Sequence, residues 1–293
     1  MRPQHTGWIT VAAAAVLAAC TAAPAPQDGP SPRAQPSPGG PIAQPAAPSA
    51  PAPGAEPPAH NARLVRRRAE PLNGRGYAQL GLTGANKPNG LEYRLRREVP
   101  SNLPSYVKRE LDGLQLFVAD RTADGWLAFY RGPLGGAPNS ANVGYRALMY
   151  RADGGRAWDT NLNRFLSRMD HLEVQDVRYA DGRLYFNEAC QSYSREAGGA
   201  CSSLLRVYPA AGTTDWRTPP RTSNNVILLH GPYVSAGYGF TAEPDSLFLI
   251  DRATGRILDR QPLDSAHSYL EMVGGELVVV TTNQVYVFGI EPR

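Results

Sequence analysis

The residues able to do chemistry in this chain are few, and their spacing suits no familiar reaction. The cysteines are Cys20, Cys190 and Cys201, with no Cys-x-x-Cys pair and no adjacent histidines to complete a metal or redox site. The histidines are His5, His60, His171, His230 and His267, and none shows metal-ligand spacing. Asp170 with His171, and Asp264 with His267, could form acid–base couples, although such pairs are more often surface contacts or turn residues. No Gly-x-Ser-x-Gly elbow, phosphate loop, dinucleotide fingerprint or EF-hand spacing occurs. The acids Asp170, Glu173 and Glu188 would serve a hydrolase or lyase acting on glycans only if the fold gathered them at one mouth. Tyr233, Tyr238 and Phe240 could line a binding groove, but alternating aromatics on a strand more often pack a sheet. No catalytic residue, metal or cofactor is assigned.

These residues need elements to hold them, and the composition says where those begin. Before about residue 60 the chain is Pro, Ala, Gly, Ser and Gln, which bury too little surface to offset ordering entropy. Residues 20–70 are therefore expected to be a disordered tether, extended by proline and reaching on the order of 100 Å. Its end is basic: Arg63, Arg66, Arg67 and Arg68 supply as much charge as the whole chain's net +4. The remainder is close to neutral, which gives no basis for nucleic-acid binding.

From residue 71 to residue 293 short apolar or alternating runs follow one another, separated by Gly, Asn, Asp and Pro. Early strands are expected at 77–82 and 91–98, and the last at 269–273, 276–282 and 284–290. Helical pattern is confined to 104–111 and 162–169. The body is expected to be all-β.

Residues 1–19 end an apolar run, too short to span a bilayer, with Leu17-Ala18-Ala19 directly before Cys20. This segment resembles the lipobox of bacterial lipoproteins. The resemblance implies that Cys20 is lipidated, that 1–19 is a signal peptide, and that the body is anchored in the bacterial cell envelope. Thr21 rather than Asp after Cys20 points to the outer membrane. With Cys20 given to lipid, Cys190 and Cys201 remain as an even pair, which an oxidising compartment would join as a disulfide.

Comparing the chain with itself reveals a repeat. An apolar strand enters a Gly-containing turn and leaves toward a large residue at 148–158 (Trp158), 206–216 (Trp216) and 248–258 (Leu258), and a fourth copy starts at Tyr286. The spacing of roughly 40 to 60 residues matches a four-strand propeller blade. In the third copy Asp251, Thr254, Gly255 and Arg256 resemble the hairpin of quinoprotein-like (PQQ-repeat) β-propellers. That resemblance implies a small β-propeller of about four or five blades, with a β-sandwich as the alternative, closed by the strand at 91–98. The large PQQ-dependent dehydrogenases of this fold carry cofactor and metal residues at a density not found here. The expected function is a non-catalytic, membrane-tethered lipoprotein presenting its propeller to an envelope protein or polymer. The alternatives are a glycan-active enzyme and a small-ligand sensor.

Overall fold

An arginine-rich run need not be solvated coil. In Ala62-Arg63-Leu64 the small and apolar residues alternate with arginine, the period of a strand buried on one face. In the structure, a computed structural model describing residues 60–83, 98–132, 144–167, 172–191, 193–240 and 242–293, this run is β1 (Ala62–Pro71). Ala62 and Leu64 are buried, while Arg63, Arg66, Arg67 and Arg68 face solvent. The folded body therefore includes residues 62–71, and the basic cluster belongs to it. Residues 1–59, with Cys20 and most of the expected tether, lie outside the described residues.

Four antiparallel sheets follow in sequence order. The first holds β2 (Glu110–Leu111), β3 (Leu114–Thr122), β4 (Gly125–Arg131), β5 (Tyr145–Tyr150) and β6 (Arg156–Asn161). The second holds β7 (Leu172–Ala180), β8 (Arg183–Cys190), β9 (Ser203–Tyr208) and β10 (Thr213–Arg217). The third holds β11 (Asn224–His230), β12 (Tyr233–Phe240), β13 (Glu243–Asp251) and β14 (Ile257–Pro262). The fourth holds β15 (Tyr269–Val273), β16 (Glu276–Val280) and β17 (Gln284–Pro292), and β1 completes it beside β17. Local meanders, each a sheet of its own, with the first strand completing the last sheet, make a small β-propeller with four blades among the described residues, rather than a sandwich.

Each blade is covered on both faces where blades meet, which explains why the middle strands read as unbroken apolar runs. β4 is buried from Gly125 through Tyr130. Phe117, Phe129 and Met149 of the first blade pack on Val177, Phe186 and Leu205 of the second. Tyr185 and Leu204 pack on Ile227, Ala236 and Phe248 of the third, and Leu247 and Leu249 pack on Leu64, Leu277 and Phe288 of the fourth. The remaining faces of the first and fourth blades are covered locally. Leu103 and Val107 lie on the first, and Tyr77 and Leu82 on the fourth.

Three expected elements differ. The expected strand at 77–82 contains a single 3-10 turn, Tyr77–Leu80, closed by Gly81 and stacked through Tyr77 on Tyr269. The expected helix at 104–111 makes one turn bond, Val107 N–H to Pro104 C=O at 3.0 Å, before Asp112-Gly113 turns β2 into β3. Of the expected helix at 162–169, residues 168 and 169 lie outside the described residues, and Leu162–Phe165 forms a 3-10 turn capped by the Asn161 side chain. Of the expected closing strand at 91–98, residues 91–97 lie outside the described residues. Glu98 forms a parallel bridge to Val118 of the first blade, and β1 is the strand that closes the fourth.

Candidate functional site

The repeat residues build the junctions between blades. Asp251, fully buried, accepts at Oδ1 from the backbone N–H of Ala253 and Thr254 (3.0 and 2.9 Å) and from the Thr254 hydroxyl (3.0 Å). Its Oδ2 accepts from His60 N–H at 3.0 Å, pinning the segment that leads into β1. Burial alone would raise this carboxyl, but these donors hold it below the usual aspartate value. Trp158 meets Tyr179 of the second blade at 5.7 Å between centroids. Trp216 donates Nε1–H to the Arg252 carbonyl of the third blade at 3.2 Å and lies over Gly255. A Cβ on Gly255, whose φ is +75°, would come within 2.6 Å of the Trp216 ring, so only glycine suits both the turn and the docked indole. The third copy substitutes Leu258, buried against the fourth blade.

Strands of successive blades meet in series, β3 beside β7, β7 beside β11 and β11 beside β15. A hydrogen-bonded chain of side chains joins the blades there. Arg131 of the first blade pairs with Glu173 at 3.2 Å, and Glu173 accepts from Gln175 Nε2 at 2.6 Å. Gln175 Oε1 accepts from Asn225 N–H in the third blade, and Asn225 Nδ2 donates to the His267 carbonyl at the start of the fourth. Where β7 bulges, Asn187 Oδ1 takes the N–H groups of Gln175 and Asp176, at 3.0 and 3.1 Å. Asp176 accepts from Ile227 N–H at 2.9 Å and pairs with Arg178, also at 2.9 Å. Buried backbone groups freed by the bulge are thus satisfied by amides and a carboxylate.

Two of the three acids raised for a glycan enzyme, Glu173 and Glu188, are committed elsewhere. Glu173 is held by Arg131, and Glu188, 1% exposed, is paired with Arg217 and accepts from Ser167 N–H at 2.9 Å. Asp170 and His171 lie outside the described residues. Asp264 and His267 line one cleft of about 360 Å³ between the third and fourth blades, together with Asp245. No hydrogen bond joins Asp264 to His267 among the described residues. Asp264 accepts from Thr281 at 2.7 Å and Tyr286 at 3.0 Å, whereas His267 Nε2 meets the Val226 carbonyl at 2.8 Å. His267 and Asp245 press against Gly237 and Gly239 so closely that a Cβ at either glycine would collide with them.

Burial pushes His267 down to about 4, and burial reinforced by Arg252 does the same to His230. Burial, reinforced by Asp264, pushes Asp245 up to about 6. The unfolded chain binds histidine protons below about pH 6.5 that the fold refuses, so these two residues remove stability as pH falls from 6.5 to 4. Asp245 acts oppositely, its contribution fading as pH rises from 3.8 through about 6. Urea midpoints between pH 4 and 6.5 should therefore rise with pH, more gently in His267→Gln and more steeply in Asp245→Asn. Parallel profiles for all three proteins would contradict this assignment.

Tyr233, Tyr238 and Phe240 do not share a groove. Tyr233 lies in a cleft with Pro232, Met272 and Ile290 near Asn61. Tyr238 and Phe240 are buried against the second blade, and only Tyr238 reaches the groove between blades two and three. That groove, about 400 Å³, has a floor of Tyr238, Phe248 and Ile257 and is flanked by Pro219, Arg221 and Arg260. The disulfide joining Cys190 to Cys201 secures the neighbouring loop. Tyr193 packs on Phe240, and Ser194 donates N–H and hydroxyl to Glu243 Oε1 at 3.1 and 2.8 Å. Tyr238 donates its hydroxyl to the other oxygen of Glu243. Burial raises the Glu243 carboxyl, but these donors outweigh it and keep the group ionised.

No protein-family model matches the sequence, and no curated protein matches it. Among solved structures the chain is similar to BamB from Moraxella catarrhalis, at 12% identity over 60% of this chain and 70% of that one, TM-score 0.30. It is also similar to a europium-containing methanol dehydrogenase, at 11% identity over 51% of this chain and 27% of that one, TM-score 0.31. A chain of the mitotic checkpoint complex matches at 9% identity over 60% of this chain and 61% of that one, TM-score 0.34. These likenesses are too slight to add to the four sheets, on which the propeller rests.

Proposed function

We propose that this protein is a non-catalytic lipoprotein of the bacterial envelope, anchored through Cys20, whose propeller binds another protein. The observation that carries the reading is the groove between the second and third blades. Its aromatic floor is rigidly backed, and its flanking Arg221 and Arg260 form no ion pair with any described residue. Apolar anchors ringed by arginine are what protein-recognition surfaces are made of. The apolar run ending at Ala19, the cysteine after it and the Pro/Ala stretch up to residue 59 support a lipid anchor on a long spacer. Such a spacer would let the propeller meet partners well away from the bilayer, with the outer membrane favoured by Thr21.

Two measurements test this. Cys20→Ser should move the protein from the membrane fraction to the soluble envelope fraction, and continued membrane association would refute the anchor. Affinity recovery of the intact protein from detergent extracts should yield a stoichiometric protein partner. Recovery of none across several detergents would refute the binding role.

A further inference from the structure

The groove's electrostatics narrow what it would hold. Arg260 donates Nε–H to Ser246 Oγ at 3.0 Å and lies over the Phe248 ring at 5.6 Å. That contact fixes the plane of the guanidinium while leaving its two terminal nitrogens turned away from Ser246. Across the floor, Arg221 follows Pro219-Pro220, and its N–H is tied to the Cys201 carbonyl at 2.9 Å. Its charge is near enough to act on the Tyr238 hydroxyl. A third arginine, Arg195, stands on the stapled loop over the Tyr193 ring. The one acid lining the groove, Glu243, has both oxygens occupied by Ser194 and Tyr238. Arg221 and Arg260 are both exposed and, among the described residues, without a carboxylate partner.

Resting on the protein-binding reading above, we propose that this groove takes an extended acidic peptide segment. An apolar side chain of the segment sits on Ile257 among Pro219, Pro220 and Pro244, and a neighbouring carboxylate is held between Arg221 and Arg260. Two features argue for this occupant. The net positive rim is complementary to carboxylates, which a planar guanidinium binds in paired hydrogen bonds. The floor below the rim is aromatic and aliphatic, which suits an apolar side chain and gives nothing to a wholly polar polyanion.

The test uses the full-length protein in detergent and fluorescein-labelled ten-residue peptides carrying one Leu or Phe beside two Glu, read by fluorescence anisotropy. Matched peptides carry Gln for Glu, or Ser for the apolar residue. The acidic apolar peptide should bind, and each replacement should weaken it by about tenfold or more. Arg221→Glu and Arg260→Glu should weaken the acidic peptide similarly and should favour a Lys-containing peptide instead, and Arg221→Glu should do so with an unchanged thermal midpoint because that side chain is exposed. Equal binding of the Glu and Gln peptides would overturn the proposal. So would binding of an anionic polysaccharide where no peptide binds. The same two variants, used in recovery from extracts, separate the two readings. A partner still recovered in full overturns the groove alone, whereas no partner with the unaltered protein removes the binding role itself.

Discussion

A chain shortened to begin at Leu72 is expected to lose its cooperative unfolding transition altogether. The missing β1 pairs with β17 along its whole length, from Ala62 opposite Pro292 to Pro71 opposite Gln284. Ala62 and Leu64 are 1% and 3% exposed, within the core shared by the third and fourth blades. β1 also reaches sideways into the third blade. Leu64 N–H donates to Asp259 at 2.7 Å, Gln261 Nε2 donates to the Leu64 carbonyl at 3.2 Å, and Arg66 donates to the Pro262 carbonyl at 2.9 Å. Removing the strand exposes the edge of β17, opens the core of the third–fourth junction, and leaves Asp259 and Gln261 without these partners. A domain's whole stability is about 5–15 kcal/mol, and the combined loss of a strand's pairing and its buried face is of that size. Near-UV circular dichroism and urea titration of the shortened chain should show lost tertiary signal and a broad, shallow transition. Adding a synthetic peptide of residues 60–71 should restore both. An unchanged midpoint would mean that the fourth blade and its junction with the third hold together without β1.

The second large effect is expected at Arg217. Glu188 is 1% exposed, and Arg217 is its only cationic partner among the described residues. Arg217 also donates to the Phe165 carbonyl, linking the second blade to the turn that follows the first. Arg217→Met removes the cation and leaves a buried carboxylate whose remaining donors are Ser167 N–H and hydroxyl. Loss of the partner of a buried charge costs up to about 3–5 kcal/mol, and the partial exposure of Arg217 places this pair at the lower end, whereas neutralising both is often nearly free. Arg217→Met should therefore lower stability by about that amount, and adding Glu188→Gln should recover most of it. The double-mutant cycle is read from urea midpoints at neutral pH. A cost below about 1 kcal/mol for the single change would show that the pair behaves as an exposed one.

What could be read from the sequence follows from how the information is laid down. The blades were legible because each repeat writes its own signature locally: a strand, a Gly turn, then Trp158, Trp216 or Leu258 at a fixed offset. Those residues dock on the next blade, so one short pattern reports both a hairpin and a junction. The closing strand was not legible, because four arginines in Arg63–Arg68 mask the two small inward residues. Only pairing with β17, which sequence order does not announce, makes it a strand. The axial network was hidden for a similar reason. Gln175, Asp176, Asn187 and Asn225 come from three strands, and the one local hint was Gln-Asp inside an otherwise apolar run. Gly237 and Gly239 did carry a signal, since two glycines inside a buried strand mark close approach by another group. What approaches them, His267 and Asp245, could be learned only from the fold. The groove combines Tyr238, which the sequence singled out, with Arg221 and Arg260, which look like any surface arginines until they flank one floor.

The pairing of β1 with β17 also sets a timetable. Asn61 and Arg293, which meet beside that pairing, are 232 residues apart. At about 5–20 residues per second, β1 leaves the ribosome on the order of ten to fifty seconds before the strand it needs exists. Throughout that interval it is a strand-forming segment with two apolar inward residues and no partner, the form in which nascent chains capture one another. Its arginines then have a use apart from any the finished sheet makes of them. Four cations along ten residues keep the waiting strand from pairing with copies of itself, so the same residues that disguise β1 as coil protect it until β17 arrives.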